Sequence, residues 1–196
     1  MPQAAGGARP PRADARRNRD HILDVAEQYF AEHGVRVPLD GLAKRAGVGA
    51  ATLYRHFPTR EDLVAALLSA RDDELMRRLK LVKDDAADAG EALHGCLMAL
   101  VDWASAFDGL PEPLCSVIPH QATPLGVACG TFVAVTENFL VRAQAEGSAR
   151  ADIRPDDLFL MALAISWARG AAAADDKTTE NLGNLVRSGW STRPDA

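Results

Sequence analysis

Between Thr52 and Arg60 the chain sets out two kinds of hydrogen-bond donor in quick succession: the hydroxyls of Thr52 and Tyr54, then Arg55, His56 and Arg60. Lys44 and Arg45 stand a few residues upstream. No nucleophile is spaced from a base in a way that supports bond making. What these side chains share is donation to anionic oxygens and to the edges of nucleobases: hydroxyls and Lys suit phosphate, and the Arg fork suits phosphate or guanine. Gly49, Ala50 and Ala51 precede them and are small, allowing close backbone approach and apolar contact with a thymine methyl but few hydrogen bonds. The chemistry is noncovalent recognition of a polyanion.

The elements that must position these groups are short helices. Leu39, Leu42, Ala43 and Ala46 recur at helical spacing and stop at Gly47, where a positive φ permits a sharp turn, with Val48 following as a core plug. A next helix is expected from about Gly49 to Phe57, with Leu53 and Phe57 inward and Pro58 closing it. Thr59 to Asp62 reads as a capping box opening a long helix through Leu63, Leu67, Leu75 and Leu79. Upstream, Asn18 is expected to cap a helix carrying Ile22, Val25, Ala26, Tyr29 and Phe30 up to Gly34. Residues 1–17, with Arg9, Arg12, Arg16 and Arg17, read as a disordered basic tail. Two helices meeting at a Gly turn, the second polar on its outer face, write a helix-turn-helix.

The remainder also reads as helix. Leu93, Leu97, Leu100, Ala104 and Phe107 mark one amphipathic face; prolines 111, 113, 119 and 124 break the chain into shorter pieces, and a long helix resumes to Glu146. Pro155 followed by Asp156 and Asp157 opens another through Trp167, and Leu182, Leu185, Val186 and Trp190 form a last stripe. The expected fold class is all-α with roughly nine helices: a three-helix head over 18–64, joined by a long helix to a body over 65–196.

Charge divides along the same line. Residues 1–60 hold 10 Lys+Arg against 6 Asp+Glu, a balance of +4, and residues 61–196 hold 12 against 21, or −9, within a chain of net −5. A basic head is drawn to phosphate while an acidic body is repelled by it. Cys96, Cys115 and Cys129 form no CxxC pair and read as buried thiols. His21, His33, His56, His94 and His120 form no HExxH pattern, so neither metal nor cofactor is expected. No GxSxG, Walker loop or GxGxxG is present, which speaks against an enzyme. No apolar run approaches the roughly 20 residues of a membrane span, and a cytosolic protein is expected.

The segments LAKRAGV (residues 42–48), TLYRHF (52–57) and REDL (60–63) resemble the TetR (tetracycline-repressor) family of bacterial transcription regulators. The resemblance covers about residues 19–64. It implies a homodimer whose third helices enter major grooves of a palindromic DNA operator. It further implies a small-molecule effector bound in the C-terminal body that moves the two heads apart. Carried over residue by residue, the DNA-facing set is Lys44, Arg45, Gly49, Ala50, Ala51, Thr52, Tyr54, Arg55, His56 and Arg60. Arg55 is the expected base reader, Thr52, Tyr54 and Arg60 the phosphate contacts, and His56 either a phosphate contact or a packed ring. Two positions depart from the family: Pro38 stands where a Ser or Thr usually caps the second helix, and Gly49 stands where the third usually begins with Ser.

The resemblance places the dimer surface on residues 156–172 and 178–190. Met98, Trp103, Phe107, Phe132, Phe139 and Trp167 are the candidates for lining an apolar effector pocket, which favours a lipophilic or aromatic molecule, with plain core as their other reading. The function expected is a ligand-released repressor. The alternative is a small-molecule binding or sequestering protein whose head has lost its grip on DNA through the altered caps.

Overall fold

A computed structural model of the chain describes residues 11–117, 122–171, 174, 175 and 177–192. Among them are nine helices: α1 Pro11–His33, α2 Leu39–Arg45, α3 Ala50–His56, α4 Arg60–Asp85, α5 Ala89–Ala104, α6 Pro111–Val117, α7 Pro124–Ala145, α8 Pro155–Arg169 and α9 Thr178–Trp190. Extended pairing among the described residues is limited to an isolated bridge between Ala149 and Ser191. The chain is all-α.

Helix α1 begins at Pro11, well before the cap expected at Asn18, so residues 11–17 are helical and Asn18 lies inside the helix. The physical reason is local. Pro suits a first turn, Ala and Arg are strong helix formers, and Arg17 pairs with Asp14 one turn back. None of this leaves an apolar stripe for a periodicity reading to find. Residues 1–10 of the expected tail lie outside the described residues.

The head is built from α1, α2 and α3 around the start of α4. Ile22, Ala26 and Phe30 of α1 are fully buried with Leu42, Leu53 and Leu63, and α1 packs on both α2 and α4. The capping box is present: Asp62 N donates to Thr59 Oγ1 at 3.1 Å and Thr59 N to Asp62 Oδ2 at 3.0 Å. From that cap α4 runs 26 residues out of the head and into the body, where it packs on α5 and α7. Helix α5 is the body's centre, in contact with α4, α7, α8 and α9.

Head and body are tied at one corner. Val35 N, just after α1, donates to the Asp108 carbonyl at 2.9 Å, and the Phe30 and Phe107 rings meet edge to face at 6.2 Å. Arg36 pairs with Glu112, and Arg71 on α4 reaches Glu27 on α1 at 3.1 Å. Gly34 makes the strap possible: its φ is +77, and a Cβ there would sit 3.0 Å from the Asp108 carbonyl oxygen.

Two expectations change. Cys115 is exposed, whereas Cys96 and Cys129 are buried and their thiols are pushed up to about 12 by burial, leaving them protonated and inert at neutral pH. Helix α7 is, by length and composition only, long and apolar enough to cross a membrane, although no continuous apolar run was visible. Threonines and an Asn interrupt it, and it packs against α4, α5, α6 and α8 with Phe132, Phe139 and Leu140 buried. Pro119 and His120 lie outside the described residues.

Candidate nucleic-acid interface

The turn between α2 and α3 is fixed by backbone. Gly47 has φ +66, and Val48 N closes the turn on the Ala43 carbonyl at 3.0 Å. Seven residues are too few for α3 to persist alone, because a helix of that length barely repays its nucleation. It is held from below. Leu53 is fully buried, and the buried Phe57 ring carries the Arg19 guanidinium at 5.1 Å. Pro38 and Gly49 cap α2 and α3 without any side-chain hydrogen bond. A missing cap hydroxyl costs a short helix only about 1 kcal/mol, and less with Gly, so burial of Leu53 outweighs it.

Seated this way, α3 turns a continuous surface outward. Gly49, Ala50, Ala51, Tyr54 and Arg55 are exposed, Thr52 is half-buried beside them, and Lys44 is exposed on the neighbouring helix. The apolar Gly-Ala-Ala approach and the polar Tyr-Arg pair therefore lie along one short helix face.

Two residues named from sequence are engaged elsewhere, and a third faces a cavity. Arg45 donates to both oxygens of Glu32 at 2.5 and 2.7 Å and lies over the Tyr29 ring at 5.9 Å, tying α2 to α1. The same fork holds the Glu32 carboxyl below its ordinary range. Arg60 donates to the Val35 carbonyl and staples the start of α4 to the loop after α1. His56 is half-buried and borders a cavity of about 530 Å³ beneath the head, with Arg19, Asp62 and the first turns of α7; its Nε2 has no hydrogen-bond partner among the described residues.

Sequence reasoning missed the supports of the turn. His21 Nε2 lies 3.1 Å from the Ala46 carbonyl at the end of α2. Tyr29 stacks on His33 at 4.8 Å, and its hydroxyl occupies the space a Cβ at Gly41 would need, only 2.2 Å away. The signal available was Gly41 itself, a poor helix former in the middle of a seven-residue helix.

The body candidates do not gather round one cavity. Trp103, Phe132 and Phe139 are packed core, with the Trp103 and Phe132 rings 4.7 Å apart, whereas Met98 is partly buried with its sulfur beside Gly183 of α9. Trp103 Nε1 donates to Asp72 at 3.2 Å, while burial pushes the Asp72 carboxyl upward. Phe107 is buried at the border of a polar cleft. Trp167, which also borders that cleft, is 63% exposed. Helical periodicity could mark these aromatics as apolar but not tell which are covered.

A helix-turn-helix head with a polar recognition face, carried on a long helix from an all-α body, defines a DNA-binding protein of two lobes. Comparison with known proteins agrees. Residues 22–67 match the family of bacterial regulatory proteins of the tetR type, and residues 88–192 match the C-terminal domain of SbtR-like transcriptional regulators. The TetR transcriptional regulator SCO0520 of Streptomyces coelicolor is 31% identical, with 91% of this chain and 99% of that one covered at a TM-score of 0.56. The fatty acid degradation regulator FadR of Bacillus halodurans shares the fold at 18% identity, TM-score 0.62, covering 93% and 98% of the two chains. The HTH-type transcriptional regulator SAUSA300_2515 of Staphylococcus aureus is 37% identical over 75 residues, 38% of this chain; the match spans 40% of that relative's length. The chain belongs to the TetR family of bacterial transcriptional regulators. It is a DNA-binding regulator and not an enzyme.

Proposed function

We propose that the chain acts in the cytoplasm as a dimeric repressor that binds a palindromic operator and is released by a small effector held in its body. The observation that carries the reading is the outer face of α3, where Tyr54 and Arg55 are exposed on a helix anchored by the fully buried Leu53. Residues 18–64 serve as the DNA head and 65–196 as the effector and dimer body. Within the head, Lys44, Thr52 and Tyr54 contact phosphate, Gly49, Ala50 and Ala51 allow close approach to the groove floor, and Arg55 reads a base. Arg45 and Arg60 serve chiefly as struts that hold this face in place, since their guanidinium groups already bond Glu32 and Val35.

Dimerisation is supported by a second surface. Leu160, Met161 and Leu185 on α8 and α9 are all exposed, beside an apolar groove of about 630 Å³ between the two helices. Large apolar side chains clustered on one face mark a surface meant for a partner, and a two-fold copy would place two α3 helices on successive half-sites.

Paired substitutions test the roles. Tyr54→Phe is expected to weaken every duplex by a similar few-fold, as loss of one phosphate contact does, whereas Arg55→Ala is expected to cost about 1–3 kcal/mol on the preferred sequence and flatten preference at one base position. Fluorescence anisotropy on preferred and single-base-changed duplexes reads both. If Arg55→Ala weakens all sequences equally, Arg55 contacts phosphate and the base-reading assignment fails.

A further inference from the structure

The corner that ties head to body also encloses a cleft of about 870 Å³, within the range that holds a small molecule. It is bordered by Arg36 after α1, Arg71 on α4, Phe107 and Asp108 between α5 and α6, and Trp167 and Arg169 near the end of α8. Its charged lining is three arginines against Asp102 and Asp108, a surplus of one positive charge. Asp102 is already countered twice, by Arg78 at 2.6 Å and by Arg169 at 2.8 Å. The carboxylates that pair with Arg36 and Arg71, Glu112 and Glu27, are not part of the lining.

Arg71 makes the longest ion pair of the three lining arginines. It holds Glu27 through one contact of 3.1 Å, both side chains are about half exposed, and its guanidinium stands 5.3 Å over the Phe107 ring. An exposed single-contact pair of this kind contributes little, so a ligand carboxylate able to accept two parallel bonds competes for it. Trp167 supplies a broad, open indole wall a short distance away on α8. A monoanion with a flat apolar body satisfies both features.

We infer that this cleft binds an aromatic monocarboxylate and that binding draws Arg71 from Glu27. This deepens, and rests on, the reading that an effector in the body controls the head. Glu27 lies on α1, so losing Arg71 removes one of the ties that hold the head beside Val35 and Asp108. The cleft thereby links an anion in the body to one tie on α1, the helix that packs on α2.

Calorimetry on the full chain without DNA tests the assignment, using 2-naphthoate and its uncharged counterpart 2-naphthamide. Naphthoate is expected to bind saturably and at least about tenfold more tightly than the amide, as for a charge-assisted bond. Arg71→Gln should weaken naphthoate about tenfold, whereas Glu27→Gln should tighten it about threefold to fivefold by removing the competing carboxylate. Unchanged thermal unfolding midpoints verify that both variants fold. Equal affinity for acid and amide, no saturation at millimolar naphthoate, or an affinity untouched by both substitutions overturns the inference. A parallel titration of the protein on its duplex separates the two readings: binding that obeys the Arg71 and Glu27 pattern without releasing DNA upholds the cleft and overturns the effector-release function.

Discussion

Leu53→Ala is expected to abolish duplex binding while leaving the body folded. Leu53 is the one fully buried side chain of α3, and α3 has only seven residues and no side-chain cap with which to hold itself. Truncating a buried Leu to Ala costs about 2–5 kcal/mol, a large share of the 5–15 kcal/mol that stabilises a typical domain. The loss falls on a helix whose order depends on that contact, so the outer face bearing Tyr54 and Arg55 loses its fixed geometry before the body is affected. Hydrogen exchange should show protection lost over α2 and α3 with α5 and α8 unchanged, and anisotropy should show duplex affinity falling at least about a hundredfold, consistent with a cost near 3 kcal/mol. Retained affinity would mean that α3 is not the recognition element.

A change at the far end of the chain should have an effect of similar size by another route. Leu185 on α9 is 68% exposed, so Leu185→Asp removes little packing from the single chain, and surface changes of that sort stay within about 0.5 kcal/mol. In a dimer built on α8 and α9 the same carboxylate would be buried without a counter-charge, at a cost of several kcal/mol. Sedimentation should therefore show a folded monomer for the variant and a dimer for the parent chain. Operator affinity should fall at least about a hundredfold, because the second half-site no longer enjoys the high effective concentration that linkage provides. A dimer that survives Leu185→Asp places the two-fold elsewhere on the body.

The parts of this architecture legible in the sequence are those governed by near neighbours. The Thr59–Asp62 capping box, the positive φ at Gly47 and the opening of α8 at Pro155 depend on residues within one turn, and each stands where local chemistry puts it. The missing caps at Pro38 and Gly49 were legible for the same reason. What could not be read depends on distant partners. Arg45 meets Glu32 across 13 residues, and Arg60 meets Val35 across 25, so nothing in the local motif distinguishes them from the exposed Arg55. Likewise Trp103 and Trp167 both sit at apolar positions of helices, yet one lies against Phe132 and the other against solvent. The cleft of Arg36, Arg71 and Arg169 draws on three separated segments, and the early start of α1 left no apolar period to detect.

We propose that the α3 face of a two-fold pair reads duplex DNA. Selection of bound duplexes from a random pool by the full chain, followed by salt-titrated anisotropy on the winner, tests it most directly. The predicted result is a palindrome with half-sites about one helical turn or more apart, bound with an affinity that falls by about 0.9 log units per decade of salt for each phosphate neutralised. A pool that returns no enriched sequence, or an affinity indifferent to salt, would contradict it.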